Sequence, residues 1–358
     1  NIGISRPTIA VCVCVCVCVK VFICMHFNYW EFISIENLFQ AWNEFKAGKR
    51  KKKDVIVFER FLETNLYNLH LVLKNKTYRH SVYQSFYVQD PKLRHIHKAS
   101  VADRVVHHLL YKYLYEIFDK TFIYDSYSCR LEKGTHKGVL RLEKFTRIIS
   151  NNYTKTCWAL KLDIKKFFAN VDHKILMKLL SQKINNSDIL WLLENVINSF
   201  HSESGEGKGI PLGNLTSQVF ANIYMNELDQ FIKHELKIKY YLRYADDFLI
   251  LSKDKQSLKG LTIPIGKFLK DSLKLELHPN KVTLRKLEWG IDFLGYNVLP
   301  RYILPRTKTK KRLFKKLKEK VRKANFEQSL QSYLGYLSHA NSYQLTQKLK
   351  NEIWLEVW

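Results

Sequence analysis

The chain has 358 residues, 46% of them apolar, which is enough to bury a large core and to form two or three lobes. Its 59 Lys and Arg residues outnumber 33 Asp and Glu residues, so the formal charge is +26 and is spread along the whole length. This composition excludes a disordered tail and favours a phosphate-bearing partner over a basic protein that is merely kept soluble by its charge.

The first 25 residues differ from the rest of the chain. The stretch "IAVCVCVCVCVKVFICM" alternates Val with Cys and belongs to a segment that holds five of the seven cysteines. The apolar run is shorter than the roughly 18 residues that span a bilayer, and Cys-x-Cys is not a zinc spacing. Alternating TGT and GTG codons of a repeat would produce the same pattern. We expect residues 1–30 to be a disordered extension without a function, and the two remaining cysteines to be reduced in a cytoplasm.

Helical periodicity begins near residue 31 and predicts N-terminal helices over residues 31–75. In "SIENLFQAWNEFKAG" the Ser34 cap, the apolar spacing and the Gly48 stop predict one amphipathic helix. A second helix is predicted from about Val55 to Lys74. The basic run "KRKKKDV" between them fits either a solvated loop or a contact with an RNA backbone.

A hairpin and a long helix are predicted next. Alternation in "SVYQSFYVQ" and turn residues in "DPKLRHIHKAS" indicate a hairpin between Tyr78 and Ser100, with Lys92 and Arg94 near its tip. The stretch "VADRVVHHLLYKYLYEIF" has a helical period.

Three aspartates lie at predicted strand ends. In "YYLRYADDFLILSK", residues 240–253, two apolar runs flank a tight turn at Asp246 and Asp247. In "CWALKLDIKKFFANVDHKIL" a strand from Cys157 to Leu162 ends at Asp163, before a helix capped by Asp172. If the two strand ends lie side by side, three carboxylates converge, and such a cluster is unstable without a cation. Hard oxygen ligands favour Mg²⁺, and a pair of ions roughly 3.5–4 Å apart can promote in-line phosphoryl transfer.

These residues resemble a known family. "YADD", preceded by "KLDIKKFFANVDHKIL" and followed by "LELHPNKVTL" and "FLGY", resembles the ordered motifs of reverse transcriptases of the bacterial, non-retroviral branch, over about residues 35–345. The resemblance implies an α+β right-hand polymerase fold, in which a ferredoxin-like palm with an antiparallel sheet and helices on one face carries fingers and a helical thumb. It also implies that Asp163 and Asp246 are the principal ligands of two Mg²⁺ ions, with Asp247 beside them.

The same resemblance divides the chain and assigns further roles. The expected parts are fingers at 76–155, a palm at 156–304 with a fingers-side insertion at about 175–212, and a helical thumb at 305–358. The expected nucleotide-binding residues are Lys92, Arg94, Arg104, Arg130, Phe168, Leu212, Gly213 and Gln218. The expected primer and template contacts are Lys281, Gly295, Lys310, Lys311, Arg312, Lys315 and Lys316.

Several of these residues have simpler interpretations. Phe168 falls where the family has an aromatic gate against the ribose 2′-hydroxyl, but the pattern alone favours an ordinary core phenylalanine in a strand-to-helix turn. Arg104 and Arg130 fit structural ion pairs. Lys281 fits a plain loop lysine.

One motif departs from most reverse transcriptases. In "GIPLGNLTSQVFANIYMNELD" Leu212 replaces the usual Gln before the second glycine, and Gln218 replaces the usual Pro after the serine. This form resembles the enzymes of diversity-generating retroelements, in which lax selectivity opposite template adenines diversifies a target gene. Leu212 cannot donate the hydrogen bond that Gln offers. The helix that follows is predicted to be capped near Thr216 or Ser217.

The segment after Pro305 is strongly basic. "RTKTKKRLFKKLKEKVRKA" contains eleven basic residues and one acidic residue between Arg306 and Lys323, with an apolar stripe at helical spacing. We interpret it as the first thumb helix, which grips an RNA–DNA hybrid, although charge runs are usually solvated faces. "SYLGYLSHANSYQL" predicts a second helical hairpin.

Together these features predict a bacterial or phage-encoded, cytoplasmic RNA-directed DNA polymerase that copies a structured template RNA onto a cDNA or primer strand from dNTPs. The resemblance also implies a structured template RNA and a small basic accessory protein as partners, and no membrane is expected. We expect no RNase H, HNH or integrase domain after the thumb. Two alternatives remain, a retron or group II intron-type enzyme and a non-catalytic RNA-binding scaffold with the same fold.

Overall fold

The computed structural model describes residues 28–89, 92–321 and 326–357. The predicted disordered extension therefore lies almost entirely outside the described residues. The helices are α1 Tyr29–Phe32, α2 Ile35–Lys46, α3 Lys53–Arg60, α4 Leu62–Lys74, α5 Val101–Phe118, α6 Thr135–Ile149, α7 Phe167–Asn170, α8 His173–Ser181, α9 Ser187–Asn198, α10 Leu215–Gln230, α11 Lys255–Gly260, α12 Thr262–Leu273, α13 Thr307–Lys318, α14 Phe326–Leu337 and α15 Tyr343–Val357. The strands are β1 Gln84–Gln89, β2 Leu93–Lys98, β3 Trp158–Asp163, β4 Tyr241–Tyr244, β5 Asp247–Ser252, β6 Thr283–Lys286, β7 Ile291–Phe293, β8 Tyr296–Leu299 and β9 Tyr302–Pro305.

The predicted hydrogen-bonded caps fix several helix starts. Ser34 accepts a hydrogen bond from the Asn37 backbone N–H at 3.3 Å, and Asp172 accepts one from Ile175 at 3.1 Å. Both satisfy backbone donors that have no partner inside the helix.

The prediction of a single helix from about Val55 to Lys74 is wrong. This stretch is divided into α3 and α4 at Phe61, whose φ of −123° and ψ of 43° leave the helical region. The Asn65 side chain donates to the Phe58 carbonyl at 3.0 Å and so satisfies one of the acceptors that the break exposes.

A four-stranded antiparallel sheet with the order β4-β5-β3-β6 lies at the centre of the chain. Helices connect β3 to β4 and β5 to β6, so the chain order is the βαββαβ of a ferredoxin-like unit, and the predicted α+β fold is confirmed. The β1–β2 hairpin and a three-stranded sheet, β7-β8-β9, are separate.

The central sheet is covered on both faces. Leu160, Leu162 and Ile250 belong to the larger apolar core, together with α5, α8, α10 and α12. Because side chains alternate along a strand, Ala159 and Leu249 point the other way, into a second core with α6 and the three-stranded sheet. The sequence predicted helices on one face of this sheet only, and the structure places α6 on its other face.

The C-terminal helices α13, α14 and α15 pack around a small core of their own, made of Leu313, Leu317, Leu337 and Leu349. None of the described helices is both long and apolar enough to cross a membrane.

Candidate active site

Two of the three predicted aspartates lie directly opposite each other on neighbouring strands of the central sheet. Asp163, the last residue of β3, is directly opposite Asp247, the first residue of β5. Directly opposed residues of antiparallel strands point to the same face, and like charges at such positions repel. The fold therefore concentrates negative charge at this end of the sheet.

Asp246 lies in the turn that leads into β5. Tyr244 pairs with Asp247, so the two loop residues are Ala245 and Asp246. The predicted turn at Asp246 and Asp247 is wrong by one residue, and the shift places Asp247 on the ladder opposite Asp163. Ala245 has a φ of +56°, a conformation that is unusual for a residue other than glycine.

A buried arginine supports this turn. The Arg243 guanidinium donates to the Ala245 carbonyl at 3.0 Å and to the two Asp229 carboxylate oxygens at 2.6 to 3.0 Å. Arg243 and Asp229 are both fully buried. Sequence reasoning missed this pair, and its one signal was an arginine inside the apolar strand "YLRY".

The local field disfavours ionisation of the second and third carboxyls. Burial, and next to it the charge of Asp163, raises the pKa of Asp246, while Lys281 and Lys92 lower it. Burial raises the pKa of Asp247 to about 6, with Asp163 and Asp246 adding to the effect and Lys161 opposing it. Such shifts are typical of sites that bind cations or move protons.

Two lysines neutralise part of this charge. Lys281 Nζ is 2.7 Å from Asp163 Oδ1, and Lys161 Nζ is 2.9 Å from Asp247 Oδ2. Lys281 ends a short 3₁₀ turn, Pro279–Lys281, which is held near β3 because the His278 backbone N–H donates to the Asp163 carbonyl at 2.8 Å. The structure thus places the predicted primer-site lysine against the carboxylates.

The donor set fits a hard divalent cation. Asp247 Oδ1 is buried and has no hydrogen-bond partner, and an unpaired buried carboxylate oxygen is costly. Within the described parts of the chain, however, no group of three or more His, Cys, Asp or Glu side chains is arranged to hold a metal as it stands. The three carboxylates lie at the same end of the central sheet. Those of Asp163 and Asp247 each form an ion pair with a lysine.

Three predicted nucleotide-binding residues lie on connected segments. Phe168, half-buried in α7, accepts a hydrogen bond on its carbonyl from the Ile210 N–H at 2.8 Å. The Leu212 carbonyl accepts from the His97 N–H of β2 at 2.9 Å, and a Cβ on Gly213 would lie 2.8 Å from Ile96 Cγ2. The β1–β2 hairpin is thereby attached to the segment that leads into α10.

The start of α10 differs from the prediction. The helix begins at Leu215, with Asn214 at the cap position, so Thr216 and Ser217 lie inside its first turn. The Asn214 side chain makes no capping bond and instead donates to the His97 carbonyl at 3.0 Å. The residue that precedes α10 is therefore hydrogen-bonded to β2, and no side-chain hydroxyl caps the helix. Gln218 is half-buried one turn into the helix.

The predicted basic contacts divide into two groups. Lys92 and Arg94 are exposed near the hairpin tip, and Lys92 is close enough to affect Asp246. Arg104 instead pairs with Asp54, and Arg130 Nε lies 2.6 Å from Asp119 Oδ1. The remaining Arg130 bonds go to backbone carbonyls of Asp119, Ile123 and Ser126. These contacts support the structural alternative for both arginines.

The predicted primer and template contacts near the C-terminus lie on a turn and on α13. Gly295 is in the β7–β8 turn, where Leu294 and Gly295 both have positive φ, as a type I′ turn requires. Its carbonyl accepts from Tyr336 Oη at 2.6 Å and from the Arg306 N–H at 2.9 Å. On α13, Lys311 and Lys315 are exposed, whereas Lys310, Arg312 and Lys316 are half-buried.

Known proteins resemble this chain in sequence over part of their length. Protein YkfC of Escherichia coli (strain K12) is 24% identical over 245 residues, which are 58% of this chain and 64% of that protein. The group II intron-encoded protein LtrA of Lactococcus lactis subsp. cremoris is 23% identical over 307 residues, which are 66% of this chain and 50% of that protein. The chain thus covers less than two thirds of the length of either relative.

Among solved structures, apo telomerase from Candida tropicalis, truncated from its C-terminal domain, aligns with a TM-score of 0.48 at 12% identity, over 68% of this chain and 60% of that one. The family model described as "Reverse transcriptase (RNA-dependent DNA polymerase)" matches residues 88–298, a range that contains all three aspartates. Because that match covers more than half of the chain, the protein belongs to the reverse transcriptase family.

Proposed function

We propose that this protein is an RNA-directed DNA polymerase that extends a primer strand with dNTPs along a template RNA, using two Mg²⁺ ions. The observation that carries the proposal is the direct opposition of Asp163 and Asp247 on neighbouring strands, with Asp246 in the turn beside them. A protein that only binds RNA gains nothing from this repulsion.

The three aspartates would hold the ions. Bound there, Mg²⁺ would make a primer 3′-hydroxyl more acidic and would neutralise charge on the triphosphate. Arg243 fixes the turn that presents Asp246, and Lys281 adds positive charge beside Asp163. Lys92 and Arg94 would attract the triphosphate, because both are exposed near the tip of the β1–β2 hairpin and the charge of Lys92 acts on Asp246.

Nucleic acid would be bound through charge outside this site. The exposed lysines of α13 form a cationic face opposite the buried Leu313 and Leu317, and we assign it to the RNA–DNA hybrid. Residues 305–358 would then be the thumb, 76–155 the fingers and 156–304 the palm. A small basic accessory protein is a further proposed partner.

Primer extension on a defined RNA template tests the activity. Wild type is expected to incorporate dNTPs with Mg²⁺, and Asp246→Asn is expected to lose at least about a hundredfold, since it removes a charged ligand. Asp271→Asn, at an exposed position on α12, is the matched control and should match wild type. A correctly folded wild type that incorporates nothing on any RNA template would favour the non-catalytic scaffold.

We further propose that the enzyme is error-prone opposite template adenines, as in diversity-generating retroelements. The support is local, namely Leu212 beside Gly213, where most reverse transcriptases have Gln, and Gln218 in α10. The relatives that we compared include group II intron-encoded proteins, and they favour the second candidate, an intron-type enzyme.

Sequencing of cDNA made on a defined RNA separates these two candidates. Wild type is expected to concentrate its errors opposite adenine, and Leu212→Gln should reduce those errors because Gln restores a hydrogen-bond donor. Leu140→Gln, at an exposed position on α6, controls for the substitution itself. Errors spread evenly over the four template bases would support the intron-type enzyme.

A further inference from the structure

A lysine to which neither the sequence analysis nor the proposed chemistry assigns a role, Lys161, lies among the carboxylates. Lys161 is two residues before Asp163 on β3, so its side chain is on the same face of the sheet. Its Nζ is 2.9 Å from Asp247 Oδ2 and donates to the Asp292 carbonyl at 3.0 Å. The ammonium also lies 5.8 Å from the centre of the buried Phe293 ring.

These contacts determine which oxygen of Asp247 is left over. Oδ2 is occupied by the ammonium, whereas Oδ1 is buried and has no hydrogen-bond partner. A carboxylate with one oxygen fixed cannot rotate freely, so the other oxygen keeps a defined direction. Only 22% of the Lys161 side chain is exposed, which protects the pair from screening by solvent.

The Asp292 carbonyl, the other acceptor of the Lys161 ammonium, is also fixed in position. Asp292 belongs to β7, which pairs with β8, and its carboxylate forms an ion pair with Arg306, the residue before α13. The carbonyl that receives Lys161 therefore belongs to a strand fixed by a ladder and by an ion pair. The ammonium thus connects two separate sheets.

We propose that Lys161 is a positioning residue that holds Asp247 so that its second oxygen stays directed into the metal site. This inference rests on the proposed polymerase function. Lys161 would act through Asp247 and not directly on the nucleotide or the primer. Its loss should therefore slow the chemical step and leave nucleotide affinity almost unchanged.

Single-nucleotide incorporation at saturating Mg²⁺ tests the kinetic part. Lys161→Met is expected to lower kcat roughly ten- to hundredfold, the scale on which small misplacements act, while the dNTP KM changes by less than about threefold. Lys161→Arg should recover part of kcat, because it retains the charge. Lys165→Met is the control, since Lys165 follows the same strand but pairs with Glu276 on the surface.

Thermal unfolding of the metal-free protein provides a readout that does not depend on activity. Lys161→Met should lower Tm in the wild-type background but hardly in an Asp247→Asn background, where no carboxylate needs the ammonium. Lys161→Gln repeats both measurements if the Met variant does not fold.

Wild-type kcat in Lys161→Met, or an equal loss of Tm in both backgrounds, would overturn the inference. An inactive wild type would instead contradict the proposed function, and the unfolding cycle would still decide whether Lys161 holds Asp247.

Discussion

Gly213 is the residue at which the segment before α10 meets the β1–β2 hairpin. Its φ of +116° is rarely adopted by residues with a side chain, and a Cβ there would come within 2.8 Å of Ile96 Cγ2. The glycine therefore permits both the turn before α10 and the close approach of β2.

Gly213→Ala is expected to destabilise the protein by about 1–3 kcal/mol, because backbone strain and a steric clash coincide. Gly260→Ala is the matched control, since this helical glycine has open space around its Cβ position. It should be neutral or stabilise by about 1 kcal/mol or less. Chemical denaturation of both variants measures the difference, and equal stabilities would contradict the assigned role of Gly213.

At the residue scale, the sequence could locate site residues that lie next to an apolar run of their own segment. Asp163, Asp246 and Asp247 could be placed because each follows or begins an apolar run. Arg243 could not, because it lies in β4 whereas its partner Asp229 lies in α10, and pairing across the fold leaves no local pattern. Arg130 shows the same limit, since only the fold brings Asp119 and three backbone carbonyls around it.

At the element scale, periodicity placed most elements and located their ends less accurately. The β1–β2 hairpin, α2 and α5 lie where alternation and capping residues predicted them. The β4–β5 turn was shifted by one residue because register is set by pairing with β3, which a single run does not reveal. The break at Phe61 depends on a single residue that leaves the helical region.

The C-terminal helix α13 shows how a charge pattern acquires meaning at this scale. Its buried Leu313 and Leu317 pack against α14 and α15, which leaves lysines such as Lys311 exposed on the opposite side. The sequence predicted both faces, but the Arg306 pair with Asp292, which attaches the start of the helix to β7, emerged only from the fold.

At the scale of the whole molecule, the central sheet lies between the two larger apolar cores. Its two faces are packed into separate cores, and one end of it carries the repelling carboxylates. Such an arrangement lowers stability unless a cation or a substrate compensates. The proposed polymerase function therefore requires that these aspartates bind divalent ions together.

Electron paramagnetic resonance of Mn²⁺ tests this claim most directly. Bound ions are counted in a complex of the protein with RNA template, a primer that lacks its 3′-hydroxyl, and the matching dNTP. Two ions per chain are expected for wild type and at most one for Asp163→Asn. An unchanged ion count in Asp163→Asn, or no bound ion in a wild-type complex that holds its nucleic acid, would contradict it.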